Sequence, residues 1–455
     1  MASRIFYYST NRSLSHSSEP VSFEKALLMG QAPDWGLFMP DRIPQISIEE
    51  LKRLPELSYP EMAALILGKF LHPDIPSSRL FQLASNVYTF DIPIEKIGQN
   101  RFLLRLDQGP TASFKDFAAQ MLARLMGEFR DPSVHLNVLV ATSGDTGSAI
   151  GRAFHGISGI DVYILYPKRE VSSEQEAQLT SINENVFAVA VDGKFDDCQS
   201  MVKTAFEDSE LDHFHLTSGN SINIGRLLPQ IVYYFYAYSR IVPPGEKVIF
   251  SIPSGNFGNA MGCELARQMG LPVKKIIIAT NENDAFPKFL WSGKYKKLDH
   301  SRKCLSNSMN VGHPSNLARL FDLYGGHVDK DGRVYRLPNL KKMRKNFFSV
   351  AISDAETVVT MQDLLQQDKI LLEPHGAVAY AGLKRYENQH GREDIPRIVL
   401  ETAHPGKFAG VIREYLGFEP ETPPALKGNS LKNKYAVLPN SYDIFKNYLM
   451  ENLKK

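Results

Sequence analysis

A lysine near the start of a predicted helix is the first residue in this sequence whose position suggests chemistry. The stretch from Gly109 to Phe129 reads GPTASFKDFAAQMLARLMGEF, and its apolar residues recur at helical spacing. Ser113 and Asp116 have the spacing of a capping box, which predicts that the helix begins there and that Lys115 lies in its first turn. The amide end of a helix is partly positive, so an ammonium group there costs up to about 1 kcal/mol.

A neutral amine at Lys115 would avoid that cost. Lysine lowers its pKa readily when it is buried or placed near positive charge. A neutral lysine is the nucleophile that forms a Schiff base with an aldehyde cofactor such as pyridoxal phosphate. Most lysines are exposed, so a solvated lysine beside Asp116 is the alternative interpretation of Lys115 taken alone. Other parts of the chain must decide between the two.

The elements that would position Lys115 belong to a predicted α/β fold. From about residue 101, apolar β-branched runs alternate with helical stretches, and such runs are typical of parallel strands buried on both faces. Open parallel sheets bind ligands at the carboxyl ends of their strands, beside helix amino termini. The runs are LNVLVAT at Leu136, VYILYP at Val162, VFAVAV at Val186, KVIFSIP at Lys247, KIIIAT at Lys275 and RIVLETA at Arg397.

The loop after LNVLVAT is rich in small polar residues. It runs from Thr142 to Gly147 and leads into the predicted helix SAIGRAFHG. Two glycines allow close backbone approach, the hydroxyls can donate, and free amides at the helix start suit an anion such as a substrate carboxylate. An ordinary helix cap and turn would explain Ser143 and Asp145 but not the remaining small polar residues.

A second loop, Ser254 to Asn259, follows KVIFSIP and also opens a helix. Its glycines and backbone amides at a helix start predict a phosphate cradle. A dinucleotide-binding loop is the main alternative and would make the protein an oxidoreductase. That fingerprint needs G-x-G-x-x-G, whereas here the glycines are Gly255, Gly258 and Gly262. No Walker-type glycine-lysine pattern occurs.

Two further segments add polar groups. SGNSINIGRLLPQ places Asn220, Ser221, Asn223 and Arg226 before an aromatic helix, a set suited to a second phosphate, although a lone arginine more often pairs with a carboxylate. Thr402, at the end of RIVLETA, places a hydroxyl where it could bond a ring nitrogen. The stretch EPHGAVAYAGL from Glu373 is expected to serve close packing.

Composition excludes several classes of protein. The 455 residues predict two or three domains, and 43% hydrophobic with 22% charged residues is typical of a globular protein. A net charge of +2 predicts no nucleic-acid partner, and the longest apolar run is far shorter than the ~20 residues of a membrane span. The three cysteines have no metal-ligand spacing, so we expect no metal, and without a secretory signal we expect a cytoplasmic location.

Taken together, the motifs carry a resemblance to a known family. GPTASFKDF, ATSGDTGSAI, SGNSINIGRLLPQ, SIPSGNFGNAMG, EPHGAVAY and ETAHPGKF, in this order, resemble threonine synthases of the longer form, and the opening YSTNRSLSHSSEP resembles their N-terminal domain. The resemblance runs to about residue 420. It implies an α/β enzyme with two open parallel-sheet lobes of the tryptophan-synthase-like fold (fold type II), a mostly helical N-terminal domain, and pyridoxal 5'-phosphate as cofactor.

The resemblance also implies domains and residue roles. Residues 1–98 would form the N-terminal domain, 99–130 and 225–418 the large cofactor-binding domain, 131–224 the small domain, and 419–455 a linker and final helix. Lys115 would carry the Schiff base and act as general base. Cofactor contacts would come from Asp145, Ser254, Gly255, Asn256, Phe257, Gly258, Asn259 and Thr402. Substrate contacts would come from Thr142, Ser143, Gly144, Thr146, Asn220, Ser221 and Arg226.

The implied reaction converts O-phospho-L-homoserine and water to L-threonine and phosphate. We expect a small-molecule substrate, no nucleic acid, no membrane, and a monomer or homodimer. One departure from the family pattern is Asp107 and Gln108 before the GPT motif, where an aromatic residue and a histidine are common, and this bears on substrate preference. A threonine-synthase-like phospho-lyase that gives 2-oxobutyrate stays open, as does a non-catalytic binding protein of the same fold.

Overall fold

The computed structural model describes residues 4–14, 19–427 and 435–454. Part of the predicted linker, residues 428–434, lies outside them, as do residues 15–18 of the N-terminal motif. The strands of the described chain are β1 (Tyr7–Ser9), β2 (Phe38–Pro40), β3 (Ile94–Lys96), β4 (Arg101–Arg105), β5 (Leu136–Ala141), β6 (Ile160–Pro167), β7 (Val186–Asp192), β8 (Leu216–Ser218), β9 (Val248–Pro253), β10 (Val273–Thr280), β11 (His327–Val328), β12 (Val334–Arg336), β13 (Phe347–Ala351), β14 (Arg397–Glu401) and β15 (Ala436–Pro439).

Helices connect nearly all of these strands. They are α1 (Phe23–Met29), α2 (Ile48–Arg53), α3 (Tyr59–Leu71), α4 (Ser77–Val87), α5 (Lys115–Phe129), α6 (Asp145–Phe154), α7 (Ser173–Thr180), α8 (Phe195–Glu207), α9 (Ile224–Leu227), α10 (Val232–Ile241), α11 (Gly258–Gln268), α12 (Ala285–Ser292), α13 (Leu317–Leu323), α14 (Leu340–Asn346), α15 (Asp354–Asp368), α16 (Pro374–His390), α17 (Ala409–Leu416) and α18 (Tyr442–Asn452). Among the described residues, no helix has the length and apolar character needed to span a bilayer.

Two mostly parallel sheets form two lobes. The larger sheet has the order β13-β10-β9-β14-β4-β3, with every neighbouring pair parallel except the antiparallel β3 and β4. The smaller sheet has the order β15-β7-β6-β5-β8 and is parallel throughout. All six predicted runs are strands of these sheets. Because parallel strands end at a common edge, the loops after β9, β14 and β4 lie together, and so do those after β5 and β8.

The N-terminal layer packs on the larger lobe through aromatic rings. Tyr59 of α3 makes edge contacts with Tyr88, with Phe117 of α5 and with Tyr236 of α10. The Tyr88 hydroxyl donates to the carbonyl of Phe117 at 2.9 Å. This layer was predicted to be mostly helical, and within it β1 and β2 pair as a short antiparallel ribbon. Strands of three residues are too short to show an alternating pattern, which is why the sequence did not predict them.

The end of the chain completes the smaller lobe. β15 adds to the edge of β7, and α18 packs against α8, where Phe445 and Leu449 join a core with Met201 and Val202. The predicted final helix therefore exists, and it buries an apolar face that contains Phe445 and Leu449. β15 was not predicted, because residues 419–455 were expected to form only a linker and a final helix.

This packing predicts a sharp contrast between neighbouring residues of α18. Phe445 has no exposed side-chain surface, whereas Ile444 is 43% exposed. We expect Phe445→Ala to lower the free energy of unfolding by about 3 to 5 kcal/mol because it opens a cavity in this core. The control Ile444→Ala should cost about 0.5 kcal/mol or less. Urea denaturation followed by circular dichroism checks both, and equal losses would contradict the packing of α18.

Candidate active site

The carboxyl ends of the two sheets face each other across a cavity. The segments that follow β4, β5, β8, β9 and β14 all contribute to its lining. All the predicted site residues line it except Ser254, Gly144 and Asn223, which are buried behind it. The lining comprises Lys115, Thr142, Ser143, Asp145, Thr146, Asn220, Ser221, Arg226, Gly255, Asn256, Phe257, Gly258, Asn259 and Thr402, together with Phe114, Ala141, Phe195, Gln199, Gln230, Pro253, Ser308, Met309, Val311 and His375.

Backbone pairing with the loop after β14 fixes the segment that carries Lys115. The amide of Phe114 donates to the carbonyl of Thr402 at 2.9 Å, and the amide of His404 donates to the carbonyl of Ala112 at 3.0 Å. These bonds bring Lys115 and Thr402, which are far apart in sequence, to the same cavity. The helix begins at Lys115, two residues after the start predicted at Ser113, and Lys115 lies in its first turn as predicted.

The predicted capping box at Ser113 is wrong. No side chain caps the start of α5. Instead, the buried carboxylate of Asp116 turns back and accepts from the amide of Thr111 at 2.9 Å and from its hydroxyl at 2.7 Å. The three-residue spacing of Ser113 and Asp116 that suggested a cap therefore belongs to a tight turn before the helix.

Lys115 is buried in a positive environment. Its side chain is 13% exposed, and its Nζ lies 3.3 Å from Oδ2 of Asp145. Burial lowers the pKa of Lys115, and the positive charges of Lys407 and Arg226 lower it further, against the opposing effect of Asp145. The neutral, nucleophilic lysine predicted from the sequence is therefore supported by its surroundings.

Asp145 lies between two lysines. Its Oδ1 is 2.9 Å from Nζ of Lys407, a fully buried side chain that also donates to the carbonyl of Thr111 at 2.8 Å. Burial by itself would raise the pKa of Asp145, but Lys407 and Lys115 outweigh burial and hold it well below its ordinary value. Asp145 also accepts from Gln175 at 3.0 Å and from the hydroxyl of Ser308 at 3.0 Å.

The glycine loop after β9 forms an open cradle at the start of α11. Phe257 adopts a left-handed conformation with φ of 64°. The side-chain Nδ2 of Asn259 donates to the carbonyl of Pro253 at 2.7 Å. A Cβ at Gly255 would lie 2.8 Å from the backbone of Met309, so only glycine fits there. Ser254 bonds back to the carbonyl of Ile252 at 3.3 Å and takes no part in the lining.

The segment after β8 supplies a buried arginine. Arg226 donates from Nη1 to the carbonyl of Gly219 at 2.7 Å, while its buried Nε has no partner. Burial lowers the pKa of Arg226 to about 10, opposed by Asp116. The side chain of Asn220 lines the cavity but also bonds both backbone groups of Ala141, at 3.1 and 2.7 Å.

Comparison with known proteins identifies the family. A profile described as "Pyridoxal-phosphate dependent enzyme" matches residues 89–400, and profiles described as "Threonine synthase N terminus" and "Threonine synthase, C-terminal" match residues 6–88 and 376–449. The threonine synthase of Haemophilus influenzae is 37% identical over 445 residues, which cover 96% of this chain and 99% of that relative. The chain belongs to the threonine synthase family. The threonine synthase of Escherichia coli is 36% identical over 410 residues, 89% of this chain and 90% of that relative.

Solved structures of the threonine synthase family share the whole fold. The crystal structure of the Escherichia coli enzyme has a TM-score of 0.87 at 33% identity and covers 98% of this chain and 99% of that chain. The pyridoxal-phosphate-bound threonine synthase from Brucella melitensis has a TM-score of 0.89 at 34% identity and covers 99% of this chain and all of that chain (100%). The predicted family, fold type and cofactor are confirmed, and the dinucleotide-dependent oxidoreductase is excluded.

The cavity fits the cofactor of the threonine synthase family. An aldehyde needs a neutral amine, and the pKa of Lys115 is lowered by burial. A phosphate group needs free donors, and the backbone amides at the start of α11, which no side chain caps, offer them. The hydroxyl of Thr402 lies in the same lining, where a ring nitrogen would be within its reach.

Several residues of this threonine synthase site gave no signal in the sequence. Lys407 lies in the motif ETAHPGKF, but the sequence predicts no role for it in the site, because no local pattern shows that a lysine in a turn will be buried. His375 was expected only to pack, yet it lines the cavity, bonds Glu373 at 2.6 Å through Nδ1 and accepts from the amide of Ser308 at 3.1 Å through Nε2. Ser308 lies between α12 and α13 and not at the end of a strand, so the pattern of strands and loops does not indicate it.

The charge of Lys407 predicts a shift in the reactivity of Lys115. Replacing it in Lys407→Gln removes a positive charge that lowers the pKa of Lys115, so this pKa should rise. Binding of pyridoxal phosphate to the apoprotein, followed by absorbance against pH, should then have its midpoint at higher pH than in the wild type. Lys407→Arg keeps the charge and should keep the midpoint. Identical midpoints for wild type and Lys407→Gln would contradict the role of this charge.

Proposed function

We propose that this protein is a threonine synthase that converts O-phospho-L-homoserine and water to L-threonine and phosphate. One observation carries the proposal. A single cavity places Lys115 between two segments suited to anions, the glycine loop at the start of α11 and the segment Asn220 to Arg226. One phosphate belongs to the cofactor of the family, so the second segment is available for a phosphorylated substrate.

The cofactor would be held from three sides. Lys115 would bind its aldehyde carbon, the amides from Gly255 to Asn259 its phosphate, and the hydroxyl of Thr402 its ring nitrogen. Asp145 would lie beside the ring edge. When bound, pyridoxal phosphate stabilises negative charge that develops at the α-carbon of an amino acid.

Lys115 would also move the protons of the reaction. Once the amine of the substrate has displaced Lys115, the free amine of Lys115 can remove the α-proton. It must release that proton before it can take the β-proton, and it can later return a proton to Cα. Burial and the charge of Lys407 lower the pKa of Lys115, so more of this base is neutral at a given pH. Asp145, 3.3 Å from Nζ, would orient the amine and stay ionised throughout.

Two segments of the cavity lining would hold the two ends of the substrate. Its carboxylate fits the segment Thr142 to Thr146, where amides at the start of α6 favour negative charge. Its phosphate fits Ser221 and Arg226, whose guanidinium can stabilise the charge of the departing group. Elimination of phosphate and addition of water at Cβ would then take place between these two anchors.

The same proposal includes the location and assembly of the enzyme. The three cysteines are free and buried, a pattern that suits a reducing compartment such as the cytoplasm. We propose a cytoplasmic enzyme that acts as a monomer or homodimer on a small-molecule substrate.

Product analysis tests the proposed function directly. Purified holoenzyme given O-phospho-L-homoserine should release threonine and phosphate in equal amounts, measured by amino-acid analysis and a phosphate assay. Lys115→Ala should release neither product and should lack the visible absorbance of the bound cofactor. Phosphate with 2-oxobutyrate in place of threonine would instead establish a phospho-lyase, and no phosphate would overturn both assignments.

The role of Arg226 gives a separate prediction. Arg226→Ala should weaken binding of the phosphorylated substrate by about 1.5 to 3 kcal/mol, the usual contribution of a hydrogen bond to a charged group. Steady-state kinetics with inorganic phosphate as inhibitor measure this loss. Arg240→Ala is the control, because Arg240 bonds the carbonyls of Pro55 and Leu57 away from the cavity. An unchanged Michaelis constant and turnover in Arg226→Ala would remove Arg226 from the phosphate site.

A further inference from the structure

Arg319 of α13 is a fully buried arginine whose partners are all uncharged oxygens. Its Nε donates to the carbonyl of Phe38 at 3.1 Å, and its Nη atoms donate to the carbonyls of Ser221 at 2.9 Å and Ile222 at 2.6 Å. Nη1 also donates to Oδ1 of Asn316 at 2.6 Å. Within the described part of the chain it forms no ion pair with a carboxylate. Burying a charge lowers the stability of the folded chain, so a buried guanidinium without a carboxylate partner suggests a functional role for Arg319.

Arg319 decides which way the amide of Asn316 points. A guanidinium can only donate, so the atom of Asn316 that faces it must be the oxygen. The amide nitrogen of Asn316 therefore faces the other way, 3.1 Å from Oγ of Ser221 and 3.0 Å from the carbonyl of Asn256.

Asn256 of the glycine loop is oriented in the same manner. Its Oδ1 accepts from the backbone amide of Ser315 at 2.5 Å, so its nitrogen must lie on the opposite side. That nitrogen donates to Oγ of Ser221 at 2.8 Å. Two amide groups, each with its orientation fixed, thus donate to the same serine oxygen.

The hydroxyl of Ser221 has only one way left to bond. A hydroxyl has two acceptor positions and one proton. Both acceptor positions of Ser221 are taken by Asn256 and Asn316, so its proton must be donated, and Ser221 lines the cavity. The carbonyls of Ser221 and Ile222 are meanwhile held away by Arg319. The hydroxyl of Ser221 is therefore a donor toward the cavity, and the carbonyls of Ser221 and Ile222 are occupied by Arg319, which suits an oxygen of a phosphate group.

We propose that Arg319 is a positioning residue which, through Asn316, fixes the hydroxyl of Ser221 as a donor to the phosphate of the substrate. The identity of that ligand, a phosphate monoester, rests on the proposed function. Arg319 also bonds Phe38, and Asn223 in the same segment donates to the carbonyl of Leu27 at 2.9 Å. The N-terminal layer therefore takes part in holding the anion site.

The test is a double-mutant cycle on holoenzyme. Ser221→Ala should raise the Michaelis constant for O-phospho-L-homoserine and the inhibition constant of inorganic phosphate by about tenfold, as expected for a lost hydrogen bond to a charged group. Arg319→Lys keeps the charge but not the fork of donors, and it should raise both constants by a similar factor while turnover changes less than about threefold. In the Ser221→Ala background, Arg319→Lys should add less than about twofold, because its effect passes through Ser221.

A matched control separates this role from general packing. Arg397 of β14 is another buried arginine, and it pairs with Glu387 at 2.9 Å. Arg397→Lys should leave the Michaelis constant and the inhibition constant unchanged. Independent, multiplicative effects of Arg319→Lys and Ser221→Ala would overturn the proposal, and so would unchanged constants in Arg319→Lys. If Arg319→Lys does not fold, Asn316→Ala replaces it in the same cycle, with the same expected and contradicting results.

The design also distinguishes this proposal from the proposed function. If wild-type holoenzyme does not turn over O-phospho-L-homoserine, the proposed function fails. Binding of inorganic phosphate, measured by calorimetry on the same variants, then decides the role of Arg319 by itself. Tenfold weaker binding in Ser221→Ala and Arg319→Lys, without additivity, supports it, and equal binding in all variants overturns it.

Discussion

The site depends on one carboxylate that is shared by two buried lysines. Asp145 belongs to the small lobe, whereas Lys115 and Lys407 belong to the large lobe, so these ion pairs join the lobes at the point of chemistry. A buried charge without a partner costs several kcal/mol, which means that the three groups must stay together. Burial lowers the pKa of Lys115 and the charge of Lys407 lowers it further, while Asp145 opposes both.

The parallel order of the strands makes this arrangement possible. β9, β14 and β4 are neighbours, and each ends at the same edge with a loop of the site, so the glycine loop, Thr402 and Lys115 meet without any long excursion of the chain. β5 and β8 do the same in the small lobe. Hydrogen bonds between these loops then fix the relative positions of the site residues, as the bond from the amide of Phe114 to the carbonyl of Thr402 does.

The strands and loops that have a local sequence pattern were predicted. The side chains whose roles depend on burial by distant segments of the chain were not. Buried parallel strands leave apolar runs, and loops that bind anions collect glycine and small polar residues, so both were found. β4 was missed because RFLLR is short and begins and ends with arginine, and it is nonetheless central. Asn316 and Arg319 lie in no motif, and the motif that contains Lys407 does not show that its side chain is buried. Only the folded chain shows that these three residues are buried around the same loops.

Arg226 and Arg319 show why the anion site is built from carbonyls. A carboxylate beside Arg226 would satisfy its charge and compete with a phosphate group for its donors, and a carboxylate beside Arg319 would compete with Asn316 for its donors. Carbonyl oxygens bond the nitrogens but leave the positive charge in place, at 2.7 Å for Arg226 and 2.6 to 3.1 Å for Arg319. The cost of burying that charge falls on the stability of the protein, and a bound phosphate offsets part of it. Affinity for phosphate and stability of the folded chain are therefore linked through these two side chains.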